Sequence, residues 1–597
     1  MNFINKIIEE LKFIRKSKRM LAAVADIDSA SSNLVPDDIE RTVDAFPDNL
    51  AFIDDDRQWT YREFDAYANQ VANWALAQGL TRGDTVGFFA RNRLEYVGIW
   101  FGLSKVGVVP ALINYQLRAS ALAHCVKISR ASLVIVDCEY LSAWRSAKKY
   151  LPDGLQAFGA FGKAGKLADF DAEIARQDTA RLDDNVRKGM TAGDVFMKMF
   201  TSGTTGMPKA AKMTHTRGQY YMRGFVVPSD AGPDDRMMMV LPMYHATGGL
   251  CGVGMALMVG GAVIVRPKFS ATSFWDEAVR FDATLFMYVG ELCRFLLSAP
   301  AGPNDRAHSI RLIIGNGLRP EVWQEFVNRF NIPGVFEFYG ATEGNISLFN
   351  FTGKVGAVGR IPSYMRKKTN GDLIRFDVET NTHIRGEDGF CQRTSDDEIG
   401  ELIGEIRSDE ARFRYEGYED KEASAKKILH DVYIKGDAWF RTGDLLWRDK
   451  DGYYYFADRI GDTFRWKAEN VSTNEVAAAL TEFDGVHQAN VYGVPIKGYD
   501  GKAGMAALVA DKDMDLVGLY QQTKDALPRS ARPVFLRISN EIDTTGTFKY
   551  KKTDLVKQGF DPSKISDPVY MAHPDKGKYV RVTASVFNKI KKGEYKL

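Results

Sequence analysis

The sequence has few cysteines and no excess of charge of either sign. Its 597 residues include five cysteines, and because no CxxC pair occurs, neither a disulfide framework nor a zinc site is indicated. Lysine and arginine number 79 against 77 aspartate and glutamate residues, which disfavours a general nucleic-acid-binding protein. We therefore expect a cytoplasmic protein, in a reducing compartment, that does not bind nucleic acid.

Long apolar runs are also scarce. The N-terminus has no uninterrupted apolar segment followed by a cleavage site, so we expect no secretory signal. The uncharged run 248–265 approaches the length of a membrane span, but six of its residues are glycine. This composition predicts a buried helix followed by a buried strand.

A predicted amphipathic helix lies within residues 1–20. Its apolar face consists of Ile4, Ile7, Ile8, Leu11 and Ile14. The opposite face and the residues just beyond it are basic, namely Lys6, Lys12, Arg15, Lys16, Lys18 and Arg19. Such a helix either rests peripherally on the inner, anionic face of a membrane or packs its apolar stripe against the protein's own body. The sequence leaves both interpretations open.

From about Ala51 the sequence alternates between short β-branched runs and amphipathic stretches. One example is a strand-like run at 85–89, followed by a helix-like run at 95–105 and a strand-like run at 108–113. The same alternation of strand-like and helix-like runs returns between 237 and 314. It predicts a large, multi-layer α/β N-terminal domain with buried sheets.

The pattern changes near residue 459. The following sequence predicts a smaller, mobile α+β C-terminal domain, with a helix-like stretch at 474–481, a strand-like stretch at 489–494 and a helix-like stretch at 516–526. The expected domains are an N-terminal extension over 1–40, the large domain over 41–459 and the small domain over 460–597.

The segment 201–209 carries the strongest chemical signal. Small hydroxyl and glycine residues let a loop approach phosphate closely and donate N–H and O–H groups to its oxygens, and a lysine at the end adds a mobile cation. The candidate phosphate-binding residues are Thr201, Ser202, Gly203, Thr204, Thr205, Gly206 and Lys209. Because the spacing of a P-loop is absent, the composition alone also fits an ordinary turn.

The order TSGTTGMPKA resembles the signature of the adenylate-forming superfamily, which includes acyl-CoA synthetases, luciferases and the adenylation domains of peptide synthetases. Further motifs of that superfamily follow in the same order, YGATEG at 339–344, RTGDL at 441–445 and then Arg459. Segments 458–473 and 544–549 are similar, more narrowly, to the fatty acid transport proteins, which are very-long-chain acyl-CoA synthetases. The resemblance covers about residues 40 to 575.

The resemblance implies a site for ATP and Mg²⁺. Its predicted nucleotide contacts, beside the loop 201–209, are Gly315, Asn316 and Gly317, which stand at the position of the superfamily's adenine loop, and Tyr339, Gly340, Thr342, Asp444 and Arg459. Glu343 would bind Mg²⁺, since a hard cation prefers oxygen ligands. Asp444 would accept hydrogen bonds from both ribose hydroxyls, because a carboxylate is acceptor-only.

The resemblance also implies catalytic and substrate residues. Lys549 matches a C-terminal lysine that bridges the fatty carboxylate and the α-phosphate, although Lys551 and Lys552 lie nearby. Thr201, Lys209 and Glu343 complete the predicted catalytic set. His245 matches a position beside the acyl pocket, but a lone histidine is as often structural.

Two positions concern the thioester half-reaction. Gly461 aligns with the hinge about which the small domain is expected to rotate, and glycine tolerates the backbone change that a hinge requires. Ala468 replaces a glycine that is typical of the transport-protein group. A methyl group there narrows the path expected for pantetheine, so adenylation is better supported than thioester formation.

The expected function is that of a long- or very-long-chain fatty acid–CoA ligase, which converts fatty acid, ATP and CoA into acyl-CoA, AMP and pyrophosphate through an acyl-adenylate. One alternative is an adenylating enzyme for another acid or another acceptor. A second is a protein that traps fatty acid during uptake with little ligase activity. A third is a degenerate, non-catalytic binder, which the intact Lys209, Glu343, Asp444 and Lys549 argue against.

Overall fold

The computed structural model of the protein describes residues 3–201, 207–467, 469–499, 501–545, 550–595 and 597. Contacts within the chain divide it into two compact units. The first comprises Met1–Arg360, Gly404–Leu429 and Ala438–Phe440, and the second comprises Ile361–Ile403, His430–Asp437 and Arg441–Leu597. The domain boundaries expected at residues 40 and 459 stay predictions.

Two mixed β-sheets build the first unit. Neighbouring strands of one sheet follow the order Ala168–Asp169, Gln156–Ala160, Leu133–Asp137, Thr85–Phe89, Val109–Ile113, Val195–Thr201 and Lys209–Thr214. Those of the other follow the order Ser347–Asn350, Val335–Gly340, Leu312–Asn316, Leu285–Val289, Arg236–Met239, Ala262–Val265, Leu50–Ile53 and Gln58–Thr60. Interior neighbours run parallel, and antiparallel pairs occur at the edges.

Helices cover these sheets. They span Val35–Ala45, Tyr61–Ala77, Glu95–Lys105, Ala119–Ser129, Leu141–Ala147, Phe170–Ile174, His215–Gly224, Val226–Ser229, Met255–Val259, Phe274–Arg280, Gly290–Ser298, Pro320–Phe330 and Lys421–Ala425. The strands Thr85–Phe89 and Leu133–Asp137 are buried along their whole length, as expected for parallel strands with helices on both faces. The predicted α/β class is confirmed.

The uncharged run 248–265 is buried protein core. It begins in a π-helix, Thr247–Gly254, continues as the helix Met255–Val259 and ends in the strand Ala262–Val265. The predicted succession of helix and strand is therefore correct, although the first turns are π-helical. Among the described residues, we find no helix with the length and hydrophobicity that a membrane crossing requires.

The N-terminal helix Phe3–Ala23 packs on the first unit through only one of its faces. Phe13 is buried, with its ring 5.6 Å from that of Phe351, and Lys16 Nζ donates to the Pro228 carbonyl over 3.2 Å. Ile7, Ile8 and Leu11 are 44%, 45% and 61% exposed. The helix is thus docked on the protein's own body while these apolar side chains face outward, and its contact with a membrane stays a prediction.

The second unit combines a sheet with flanking helices. Its sheet has the order Val486–Val494, Ala503–Ala510, Phe535–Ile538, Val569–His573 and Lys578–Arg581. Its helices span Thr473–Thr481, Leu516–Ala526, Thr553–Gln558 and Ala584–Lys591. Further strands lie at Gly371–Asp377, Thr382–His383, Tyr453–Arg459, Phe464–Trp466 and Glu469–Val471. The α+β elements predicted after residue 473 are confirmed.

Candidate active site

Thr201 and Lys209 face each other at the two ends of the predicted phosphate loop. The strands Val195–Thr201 and Lys209–Thr214 pair antiparallel, with Thr201 opposite Lys209. The predicted residues Ser202, Gly203, Thr204, Thr205 and Gly206 lie outside the described residues. Strand pairing therefore holds both ends of the loop at one edge of a sheet.

Tyr418 contacts three of the predicted catalytic residues. Its hydroxyl donates to Glu343 Oε1 over 2.6 Å, the Thr201 side chain lies near enough to lower its pKa, and Lys209 Nζ lies 5.3 Å from its ring centroid. Burial of the ring, reinforced by the charge of Glu343, raises the pKa of Tyr418. The phenol is therefore a neutral hydrogen-bond donor at physiological pH.

Backbone pairing fixes the segment that carries Tyr418. Glu419 N–H donates to the Ala210 carbonyl over 2.9 Å, and Lys212 N–H donates to the Gly417 carbonyl over 3.2 Å. The segment thus runs beside the strand that begins at Lys209, which places the phenol next to the phosphate loop.

Thr342 and Glu343 are the central residues of a β-turn. Gly344 N–H donates to the Ala341 carbonyl over 2.9 Å, which closes the turn after the strand Val335–Gly340. Asn345, directly after the turn, is buried and donates to the carbonyl of Phe413 over 2.9 Å. The turn therefore presents both predicted ligands of the phosphate and the cation from a fixed backbone.

Glu343 suits a magnesium site that the nucleotide completes. The described residues contain no group of three or more histidine, cysteine, aspartate or glutamate side chains that could hold a metal ion. Mg²⁺ typically takes one or two carboxylates and fills its remaining positions with phosphate oxygens and water. A single, half-buried carboxylate beside a phosphate loop fits that requirement.

The predicted adenine loop, Gly315–Gly317, is held between two neighbouring strands. Gly315 lies in register with Tyr288 on one side and with Glu337 on the other. A Cβ atom on Gly315 would lie 2.2 Å from the Tyr288 carbonyl oxygen, so only glycine fits there. Gly317 adopts a φ of +79°, which also favours glycine.

Glu337 is a buried carboxyl group behind this loop. Its Oε1 accepts the Leu318 N–H over 3.1 Å, and its Oε2 is hydrogen-bonded by the Tyr288 hydroxyl. Burial raises the pKa of Glu337 to about 8. At neutral pH the group is therefore largely a neutral acid that ties the adenine loop to the strand before Tyr339 and Gly340.

His245 lies where the chain enters the π-helix Thr247–Gly254. Its ring centroid is 4.5 Å from that of Tyr244, and its carbonyl accepts the Gly249 N–H over 2.8 Å. π-Helical turns are frequent at functional sites. The position is compatible with an acyl pocket, and the substrate role of His245 stays a prediction.

In the second unit, Asp444 and Arg459 lie opposite each other on paired strands. Arg459 Nε is 3.5 Å from Asp444 Oδ1. The preceding residue, Gly443, donates its N–H to Glu401 Oε1 over 3.1 Å. Burial alone would raise the pKa of Glu401, but the hydrogen bond with His383 and the nearby arginine lower it overall. Glu401 is thus an anion that braces the strand directly before Asp444.

The transport-protein signature 458–473 is organised by Asp458. This carboxylate accepts the Thr473 N–H over 2.7 Å and the Thr463 hydroxyl over 3.0 Å. Gly461, between Asp458 and Thr463 in sequence, has a φ of +95°. Ala468 lies outside the described residues, so its effect on thioester formation stays a prediction.

The predicted catalytic lysine, Lys549, also lies outside the described residues. The flanking residues Thr544 and Tyr550 form an antiparallel bridge. Lys552 Nζ is 3.0 Å from Asp462 Oδ2 and donates to the Thr473 hydroxyl over 3.0 Å. These contacts give Lys552 a structural role, which favours Lys549 over Lys552 for the catalytic position.

Sequence analysis did not identify Tyr418, Glu337 or Glu401. Each acts through a residue far away in the chain, and a single sequence carries no signal for such pairs. Glu337 alone had a local indication, because a glutamate in an otherwise apolar strand two residues before Tyr339 requires a buried partner.

Comparison with known proteins shows the family to which the chain belongs. A family model described as "AMP-binding enzyme" matches residues 39–403. "Long-chain fatty acid transport protein 1" of Mus musculus is 40% identical over 561 residues, covering 92% of this chain and 86% of the relative. The Homo sapiens protein of the same name is 39% identical and covers 95% of this chain and 89% of its own length.

A solved structure shows the same fold. A benzoate CoA ligase from Burkholderia xenovorans LB400 superposes with a TM-score of 0.74 at 21% identity, covering 88% of this chain and 100% of that chain. The fold and the motifs together define an adenylate-forming enzyme. The chain belongs to the AMP-binding enzyme family and, within it, to the fatty acid transport protein group.

Proposed function

We propose that this protein activates long-chain or very-long-chain fatty acids with ATP and transfers the acyl group to CoA. One observation carries the proposal for the first step. Tyr418 joins Thr201, Lys209 and Glu343, so that a hydroxyl, a cation and a carboxylate surround the end of one phosphate-binding loop. The names of the relatives support a long-chain fatty acid as the acid substrate.

The first step makes the carboxylate reactive. A fatty carboxylate oxygen attacks the α-phosphorus of ATP, the bond to the bridging oxygen breaks, and pyrophosphate leaves. Negative charge grows on the departing pyrophosphate, where Lys209 and the loop donors stabilise it. When bound, Mg²⁺ neutralises polyphosphate charge, and Glu343 is the residue that would hold it. Lys549 would bridge the carboxylate and the α-phosphate.

The second step transfers the acyl group. The sulfur of CoA attacks the acyl carbon, the bond to the AMP oxygen breaks, and the thiol proton is released to solvent. The mixed anhydride reacts because AMP is a good leaving group, whereas the leaving group of a free carboxylate would be oxide.

The proposal is tested by measuring pyrophosphate and acyl-CoA with a ladder of fatty acids. We expect thioester mainly from long chains and a fall of about 10²–10³-fold in pyrophosphate release for Lys549→Ala, as for loss of one group that stabilises transition-state charge. The matched control is Lys551→Ala, because Lys551 is an exposed lysine two positions away.

Each other result would support a different function. Pyrophosphate release without thioester would indicate another acceptor and would implicate Ala468. Turnover of short or aromatic acids only would indicate another acid substrate. Binding of fatty acid without any turnover would indicate a trapping protein and overturn the ligase proposal.

A basic pocket in the first unit supports CoA as the acceptor. It is an open surface depression lined by Ala119, Arg145, Ser146, Lys148, Lys149 and Tyr150. Three of these residues are cations and none is acidic. CoA carries several phosphate charges, and such a cluster is suited to bind them. We infer that this pocket holds a phosphate group of CoA.

Replacing Arg145, Lys148 and Lys149 by alanine tests that role. We expect KM for CoA to rise about tenfold or more, while fatty-acid-dependent pyrophosphate release changes little, because only the second step uses CoA. If the pocket holds the 3′-phosphate, the triple substitution should weaken the binding of CoA more than it weakens the binding of dephospho-CoA, which lacks that phosphate. An unchanged KM for CoA would remove the pocket from the site.

The outward face of the N-terminal helix supports peripheral membrane contact. Ile7, Ile8 and Leu11 are exposed, and Lys12, Arg15 and Lys18 are exposed on the same helix. Apolar side chains beside basic ones are typical of helices that lie on anionic lipid surfaces. We propose that this helix brings the enzyme to the membrane from which a fatty acid is drawn.

A further inference from the structure

The turn Ala341–Gly344, here called the carboxylate turn, is held by a helix from a distant part of the sequence. The helix His215–Gly224 places Arg217 and Tyr221 one turn apart, on the side facing the carboxylate turn. Both side chains end on backbone carbonyls of that turn. The contact joins residues separated by more than 100 positions in the chain.

Three of the four carbonyl groups of the carboxylate turn accept hydrogen bonds from this helix. Arg217 Nη2 donates to the carbonyls of Thr342 and Gly344, each over 2.6 Å. The Tyr221 hydroxyl donates to the Ala341 carbonyl over 2.9 Å. Hydrogen bonds from a charged donor are shorter and stronger than neutral ones. The backbone on both sides of Glu343 is therefore fixed.

Arg217 is an unusual residue for this task. It is 9% exposed, and its Nε makes no hydrogen bond within the described part of the chain. Burying a guanidinium group is costly unless its contacts compensate. An apolar side chain would fill the space at lower cost, but it could not hold two carbonyls at once. The geometry indicates that accurate placement of the turn matters more here than stability.

We propose that Arg217 and Tyr221 are positioning residues for the adenylation step, which orient Glu343 toward the magnesium-bound polyphosphate. This inference rests on the proposed function. Neither residue touches the reacting atoms. Together they set the backbone of the carboxylate turn, while the Tyr418 hydroxyl holds the side chain of Glu343.

The test is equilibrium binding of ATP with and without Mg²⁺, measured by calorimetry on the full chain in the absence of fatty acid. Arg217→Lys keeps a positive charge, but its ammonium ends one bond short of the position of Arg217 Nη2, so it cannot reproduce both hydrogen bonds of that atom. We expect it to weaken binding of magnesium–ATP about tenfold and binding of ATP in EDTA less than about twofold, because only the former uses Glu343. Tyr221→Phe removes a single hydroxyl and should also weaken the binding of magnesium–ATP more than that of ATP in EDTA, but by a smaller factor.

Matched controls lie on the same helix. Arg223 pairs with Asp26 and the Tyr220 hydroxyl donates to the Ile27 carbonyl, so Arg223→Lys and Tyr220→Phe change the same residue types without touching the carboxylate turn. These controls should bind magnesium–ATP as the parent protein does.

Two outcomes would overturn the positioning role. One is equal weakening with and without Mg²⁺, which would mean a general effect on nucleotide binding or folding. The other is no weakening in either variant. If Arg217→Lys does not fold, Tyr221→Phe decides the question. Failure of the proposed function would give a different result from failure of the positioning role. In that case the parent protein itself would bind magnesium–ATP but would release no pyrophosphate in the presence of fatty acids.

Discussion

At the scale of single residues, the site depends on side chains whose ionisation is set by burial. Glu337 has the clearest consequence for stability, because its pKa is about 8 in the fold and 4.5 in the reference state. As pH rises from about 4.5 to about 8, the folded protein keeps a proton that the unfolded chain loses. The stability that this group contributes is therefore complete at low pH and is lost as pH rises toward 8.

Glu337→Gln should remove this pH dependence. The amide can still accept the Leu318 N–H and carries no titrating proton, so the variant should gain stability relative to the parent protein between pH 5 and pH 8, by roughly a few kcal/mol. Urea midpoints at pH 5, 6.5 and 8 would measure the difference. Glu325→Gln, on an exposed helix position, is the control. If the urea midpoints of the parent protein and the variant change with pH in the same way, the role assigned to Glu337 is contradicted.

At the scale of elements, the N-terminal helix has two faces with separate tasks. Phe13 and Lys16 dock it on the first unit, and Ile7, Ile8 and Leu11 remain exposed. Replacing these three apolar residues by glutamate should leave folding and turnover of soluble substrate unchanged, because their side chains contribute little to the core. It should abolish sedimentation with vesicles that contain anionic lipid.

Val517→Glu is the matched control for that experiment. Val517 is 54% exposed on a helix of the second unit, so the change adds the same charge to an exposed apolar position elsewhere. Two results would contradict a membrane role of the helix. One is that the triple glutamate variant still binds vesicles, and the other is that the control loses vesicle binding to the same extent.

At the scale of the whole molecule, the two half-reactions are expected to need a rotation about Gly461. A Cβ atom on Gly461 would meet nothing within 4 Å, so a substitution there acts through the backbone, whose φ is +95°. We expect Gly461→Val to lower acyl-CoA formation about tenfold more than pyrophosphate release, because a β-branched residue disfavours that backbone state.

Gly498→Val provides the comparison. Gly498 has a φ of +87° and also has open space around an added Cβ, so both variants carry a similar backbone penalty. The ratio of the two half-reactions should stay constant in the Gly498 variant. An equal change of that ratio in both variants would show that Gly461 is not a hinge.

The sequence by itself determined the fold class, the order of the motifs and the class of chemistry. The strand-like run 85–89 and the helix-like run 95–105 predicted their elements residue for residue. A fully buried parallel strand reads as a near-continuous apolar segment. Gly315 was also named from sequence, and its reason became visible only in the sheet, where Tyr288 leaves no space for a side chain. The roles of Lys549, Asp444 and Ala468 remain predictions.

Only the tertiary structure brought Tyr418 to Glu343, Arg217 to the carboxylate turn and Glu337 behind the adenine loop. It also separated the docked and exposed faces of the N-terminal helix. Local propensity and periodicity report which side of an element is buried, and they carry no information on which distant residue lies there. Hydrogen bonds between elements are decided when the sheets and helices pack, because burial then requires each polar group to find a partner.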